Sequence, residues 1–165
     1  MKREIILIAV LISMFSFSTV KAQSFAVGGE TGFSIFSPNG ANFALPIGAN
    51  LEWDINGNLS LQTRVSFDIG LGRADFNYFY INPEIRYHFS ETFSGAYVGG
   101  YFGFGPASFN SFYMSLGAVG GYEIMVSDNF NIDISGQLGF GHLGNSFVGF
   151  NGLHFRPTVG LRYVL

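Results

Sequence analysis

Cysteine is absent from the 165-residue chain, and lysine nearly so. The first absence excludes a disulfide framework, a thiolate nucleophile and a cysteine metal centre. The two lysines, Lys2 and Lys21, both fall in the first 23 residues. Charge of either sign is scarce: 12% of residues are charged, against about a quarter in an ordinary soluble domain. No basic stripe exists to hold nucleic acid. Beyond residue 23 no apolar run is long enough for a membrane-spanning helix. The glycine pairs Gly99-Gly100 and Gly120-Gly121 sit inside alternating segments and match no phosphate-binding loop. Glycine (23) and phenylalanine (20) are the residues in surplus.

Residues 1–23 have the layout of an export signal. Lys2 and Arg3 give a positive start, Ile5 to Val20 is uncharged, and Lys21-Ala22-Gln23 offers small residues for cleavage. The apolar core from Ile5 to Ile12 is short for a retained anchor. Residues 24–165 are therefore expected to form one mature domain. It would carry five arginines, no lysine and ten carboxylates.

The mature region alternates with period two, the template of a strand rather than a helix. Eight strands are predicted, over Phe25–Phe36, Phe43–Ile55, Leu59–Leu71, Tyr78–Phe89, Gly95–Gly105, Phe112–Val126, Phe130–His142 and Leu153–Leu165. Tight turns at Asn56–Asn58, Ser90–Ser94 and Ser127–Asn129 alternate with longer connections at Ser37–Asn42, Gly72–Asn77, Pro106–Ser111 and Leu143–Gly152. Strict alternation of short and long connections is the layout of an outer-membrane barrel, with short periplasmic turns and longer external loops. The expected fold is all-β: an eight-stranded antiparallel transmembrane β-barrel, an up-and-down meander, following a cleaved signal peptide.

The two faces differ sharply. In the third strand Leu59, Leu61, Thr63, Val65, Phe67, Ile69 and Leu71 oppose Ser60, Gln62, Arg64, Ser66, Asp68 and Gly70. Every charge inside a strand falls on the polar face: Glu30, Glu52, Asp54, Arg64, Asp68, Glu84, Arg86, Glu123, Asp133, Arg156 and Arg162. The polar face is also rich in small residues, including Gly28, Gly48, Ser60, Ser66, Gly117 and Gly139. An eight-stranded barrel has interior room only for side chains, so this face is expected inside and the bulky apolar face toward lipid. A secreted lipocalin-like barrel with its apolar face inward is the soluble alternative. The missing lysines and the aromatic placement oppose it. Trp53, Tyr87, Tyr122 and Tyr163 lie at the turn ends of their strands, as an interfacial girdle requires. The fifth strand is ambiguous, because glycine and tyrosine share one register while valine and phenylalanine share the other.

The region 24–165 resembles the small OmpA/OmpX-like outer-membrane barrels, of the Bacteroidetes type. Ile81-Asn82-Pro83-Glu84-Ile85-Arg86-Tyr87-His88-Phe89 resembles a mid-barrel strand of such families. Val159-Gly160-Leu161-Arg162-Tyr163-Val164-Leu165 resembles the final strand read by the barrel-assembly machinery, although that signal usually ends in an aromatic residue. The resemblance implies an outer-membrane location, contact with lipid and lipopolysaccharide, passage through the assembly machinery and a monomer.

Two constellations could carry function. The inward charges Glu30, Glu52, Arg64, Asp68, Glu84, Arg86, Glu123, Asp133, Arg156 and Arg162 should share a narrow lumen, where unpaired charge is costly. They form either a salt-bridged plug or the lining of a narrow porin-like pore; the plug is the expectation, with a structural or surface-interaction role. The second is Gly141-His142-Leu143-Gly144-Asn145-Ser146. It resembles the His-x-Ser-Asn motif of lipid A deacylases, but Gly144 stands where the nucleophile belongs, so the chain is not expected to be an enzyme. His88 and His154 are expected in the lumen as hydrogen-bonding groups. With no cluster of His and Cys, no metal or other cofactor is expected.

Overall fold

The computed structural model describes residues 24–37, 42–71, 77–107, 111–144 and 149–165. Nine strand segments follow in chain order: β1 (Phe25–Gly32), β2 (Ser34–Ser37), β3 (Asn42–Asp54), β4 (Leu59–Leu71), β5 (Tyr78–His88), β6 (Gly95–Ala107), β7 (Ser111–Ser127), β8 (Phe130–Gly144) and β9 (Gly149–Val164). β1 and β2 both pair antiparallel with β3, each strand from β3 onward pairs antiparallel with the next, and β9 returns to pair with β1 and β2. The sheet therefore closes on itself and has no free edge.

The nine segments make eight staves, because β1 and β2 are one stave interrupted at Phe33. Register is continuous across the break: Thr31 faces Ile47 and Ser34 faces Ala44, while Gly32 faces Thr158 and Ile35 faces Phe155. The interruption falls where both flanking staves carry a proline, Pro46 and Pro157, each lacking the N–H a ladder uses. Phe33 N still donates to Pro157 O at 3.0 Å.

The polar face is inside. Arg64, Arg86, Arg156 and Arg162 are fully buried, while Leu116, Leu138, Phe140 and Leu161 are among many large apolar residues exposed outside. Among the described residues the only exposed charges are Glu91 and Asp128, both in turns. The ambiguous strand resolves as β6: Tyr97 and Tyr101 point inward, Val98 and Phe102 outward.

Two connections differ from expectation. The predicted loop Leu143–Gly152 is largely strand, with Leu143 opposite Phe150 and Gly141 opposite Gly152. Its glycines and asparagine read as turn chemistry, yet their backbones extend the ladder. Ser37 and Asn42, the ends of another of the longer connections expected, are likewise in strands. What remains of these two loops lies outside the described residues, as do Arg73, Asp75 and the expected signal, residues 1–23. Ser90–Ser94 is the expected turn between β5 and β6, and its Thr92 N also donates to Gly57 O at 2.7 Å.

Close approach of β7 and β8 depends on an inward glycine pair, Gly117 opposite Gly139. A Cβ on either would collide with the backbone of the other strand, and one on Gly139 would also meet the Tyr101 hydroxyl. Gly139→Val is expected to cost about 1–3 kcal/mol through overpacking, read as a lower guanidinium midpoint for the detergent-folded barrel.

Candidate functional site

The lumen is built by the period-two geometry of seven staves, which aim charged side chains at one axis, and by β6, which aims tyrosines at it. All ten charged residues singled out from the sequence lie there, and they form one connected network. Arg162 on β9 lies at its turn-end half. Its guanidinium holds Glu52 Oε2 on β3, Glu123 Oε1 on β7 at 2.5 Å, Asp133 Oδ2 on β8 at 2.5 Å and Gln62 Oε1 at 2.8 Å. Arg86 on β5 donates to Glu84 Oε2 at 2.9 Å and Glu52 Oε2 at 3.2 Å, and stacks over the Tyr97 ring at 4.2 Å.

Arg64 on β4 continues the chain upward. It reaches Glu30 at 3.1 Å, Glu84 at 2.7 Å, and the hydroxyls of Thr158 and Ser135 at 3.0 and 3.1 Å. Arg156 serves the loop-end half: it donates to Ser66 Oγ at 2.8 Å, lies 3.4 Å from Asp68 and covers the Tyr80 ring at 4.9 Å. Neutral groups complete the set, with Gln137 donating to Glu84 at 2.6 Å and Tyr97 to Asp133 at 2.7 Å.

Each end of the network is stoppered by rings. Toward the loops, Phe36, Tyr78, Tyr80, Tyr113 and Leu143 form a buried cluster. Tyr78 and Tyr113 lie 4.9 Å apart by ring centroids, and Tyr80 OH meets Ser115 Oγ at 2.6 Å. His154 sits beneath, with Nδ1 3.1 Å from Tyr101 OH and Nε2 3.3 Å from Ser34 Oγ. At the other mouth, Phe93 is buried with φ at 66°, a left-handed backbone that a bulky residue adopts only when its surroundings impose it. They do: Asn131 Nδ2 donates to Phe93 O at 2.5 Å, Thr92 N to Gly57 O at 2.7 Å, and Thr92 Oγ1 to Asp54 Oδ1 at 2.9 Å.

Apart from Tyr80, which falls on the polar face of its predicted strand, these stoppers are what the sequence reading missed. Tyr78, Tyr80 and Tyr113 share parity with charged residues of their own strands, and that signal assigns them inward. Tyr97 and Tyr101 lie on β6, which has no charge to anchor its parity. Phe93 carries no pattern, since it belongs to a turn.

The aromatics expected at the membrane interface sit together at the turn end. Tyr87, Tyr122 and Tyr163 are exposed; Trp53 is half-buried, stacked on Phe25 at 5.8 Å. Phe130 packs edge-on to Tyr163 at 5.0 Å.

The second constellation divides. His142 is exposed on the outer face, its Nδ1 2.7 Å from Asn151 Oδ1. Asn145 and Ser146 lie outside the described residues, and Gly144 is a strand residue paired with Gly149.

The barrel is similar to several solved structures. Neisserial surface protein A superposes with a TM-score of 0.70 at 19% identity, covering 87% of this chain and 99% of that one. Ail, the attachment invasion locus protein of Yersinia pestis, gives 0.56 at 14% identity, covering 88% and 100%. The N-terminal β-barrel domain of Pseudomonas aeruginosa OprF gives 0.51 at 10% identity, covering 86% and 97%. At these identities the likeness is one of fold. No curated protein matches the sequence. Residues 6–151 match the family described as "Protein of unknown function (DUF3575)".

Proposed function

The chain belongs to the DUF3575 family, and we propose that it is a non-enzymatic, monomeric barrel of the bacterial outer membrane. Its role is structural or surface-interacting, and its lumen is closed. It reaches the membrane by an export signal in residues 1–23 and the barrel-assembly machinery, and it contacts lipid and lipopolysaccharide there. One observation carries this reading: among the described residues, an apolar outer strand face without charge encloses a buried ion-paired interior stoppered by rings at both mouths. Such a wall suits hydrocarbon, where a closed barrel satisfies every backbone group internally. The similar barrels named for a cell surface and for attachment fit an interacting role.

The test is single-channel recording of the folded protein in a planar bilayer, after a heat-dependent gel shift has verified folding. Verified insertions are expected to show no conductance. Reproducible openings would overturn the closed lumen and make its charges the lining of a narrow pore.

A further inference from the structure

The inward charges do not balance. Among the described residues six buried carboxylates face the lumen, from Glu30, Glu52, Asp68, Glu84, Glu123 and Asp133, against four guanidiniums. Most of the carboxylates lie in the turn-end half, where Arg64, Arg86 and Arg162 must serve Glu30, Glu52, Glu84, Glu123 and Asp133. An excess of two buried negative charges is costly unless something neutralises it.

We propose that Glu52, His88 and Glu123 form a binding site for one divalent first-row transition-metal cation inside the turn-end mouth. One donor atom from each lies within 4.8 Å of the other two, and all three side chains are buried. Donors at about 2.0–2.2 Å from an ion stand about 3–4.4 Å apart, so only a small closure is needed. One imidazole and two carboxylates form a nitrogen–oxygen set suited to zinc, cobalt, iron or manganese.

Arg162 does not occupy every donor atom of the set. Arg162 holds Glu52 Oε2 and Glu123 Oε1. That leaves Glu52 Oε1, which is 3.0 Å from His88 Nε2 and takes the Ser60 hydroxyl. It also leaves Glu123 Oε2 and His88 Nδ1, both buried with no hydrogen-bond partner among the described residues. The guanidiniums of Arg86 and Arg162 repel a cation, but each also orients the carboxylates it holds, as outer-sphere partners do. An ion of charge two matches the formal excess of carboxylates over guanidiniums. Glu123 pairs with Gly95 and His88 ends β5, so the three residues lie at the turn-end mouth beside the Ser90–Ser94 turn.

The experiment uses tag-free protein folded in detergent in the presence of Co2+, with visible d–d absorption and metal content after gel filtration as readouts. One equivalent of bound Co2+, displaced by Zn2+, is expected. His88→Gln and Glu123→Gln should each weaken binding by at least about tenfold, while His142→Ala, at the exposed histidine, should not. Glu123→Gln removes only a charge and keeps the test valid where the histidine variant does not fold. Absence of bound Co2+, binding that survives both lumen substitutions, or binding lost with His142 would overturn the site. None of these outcomes bears on whether the lumen conducts.

Discussion

Replacing Arg162 with methionine is expected to destabilise the folded barrel by about 3–5 kcal/mol, the cost of removing one partner from a buried ion pair. The magnitude follows from what is left behind. Arg162 is fully buried and meets Glu52, Glu123 and Asp133 at once. Without it three carboxylates crowd one dry space, with Arg86 as their nearest cation at 3.2, 3.6 and 3.7 Å. Equilibrium unfolding in guanidinium from detergent or vesicles measures the loss. Arg156→Met should cost less, because Arg156 approaches its carboxylates only to 3.4 and 3.9 Å. Adding Glu52→Gln and Glu123→Gln to Arg162→Met should recover part of the loss, since the penalty lies in the orphaned charges. A loss below about 1 kcal/mol, the range of an exposed pair, would mean the lumen is filled with water and the closed reading is wrong.

The legibility of this fold in its sequence depended on charge. Where a strand carries a Glu or Arg, as β3, β4, β5 and β9 do, the parity of that residue fixes the inward face for the whole stave, because side chains alternate without exception in an unbulged strand. All ten lumen charges were found that way. β6 has no charge, and tyrosine is at home on either face of a barrel, so Tyr97 and Tyr101 stayed unassigned until the register was seen. The stoppers were harder. Phe93 is placed by a hydrogen bond from Asn131 on β8, and its neighbour Thr92 is tied to Gly57 in a distant turn. The Glu52–His88–Glu123 set was equally hidden, since three residues on β3, β5 and β7 have no common spacing. Glycine misled in the other direction: Gly144 and Gly152 looked like loop residues and turned out to be strand.

Leu138→Arg carries the second large effect, and it tests the environment of the outer face rather than the lumen. Leu138 lies midway along β8, well exposed, between Ala118 and Phe155. If that face meets hydrocarbon, an arginine there should cost about 2–4 kcal/mol when folding is measured in phospholipid vesicles. The cost should fall toward the rim. Val126→Arg, at the exposed end of β7 beside the Ser127–Asn129 turn, should cost only about 0–1 kcal/mol. The gradient matters more than either value. A soluble barrel would treat both sites alike, because an arginine on an exposed strand face in water costs almost nothing and improves solubility. A steep dependence on position along the stave can arise only from a solvent that changes with depth. Equal, near-zero costs at Leu138 and Val126 would therefore remove the membrane from the account, while leaving the ion-paired lumen and its cation site to be explained in a water-soluble barrel.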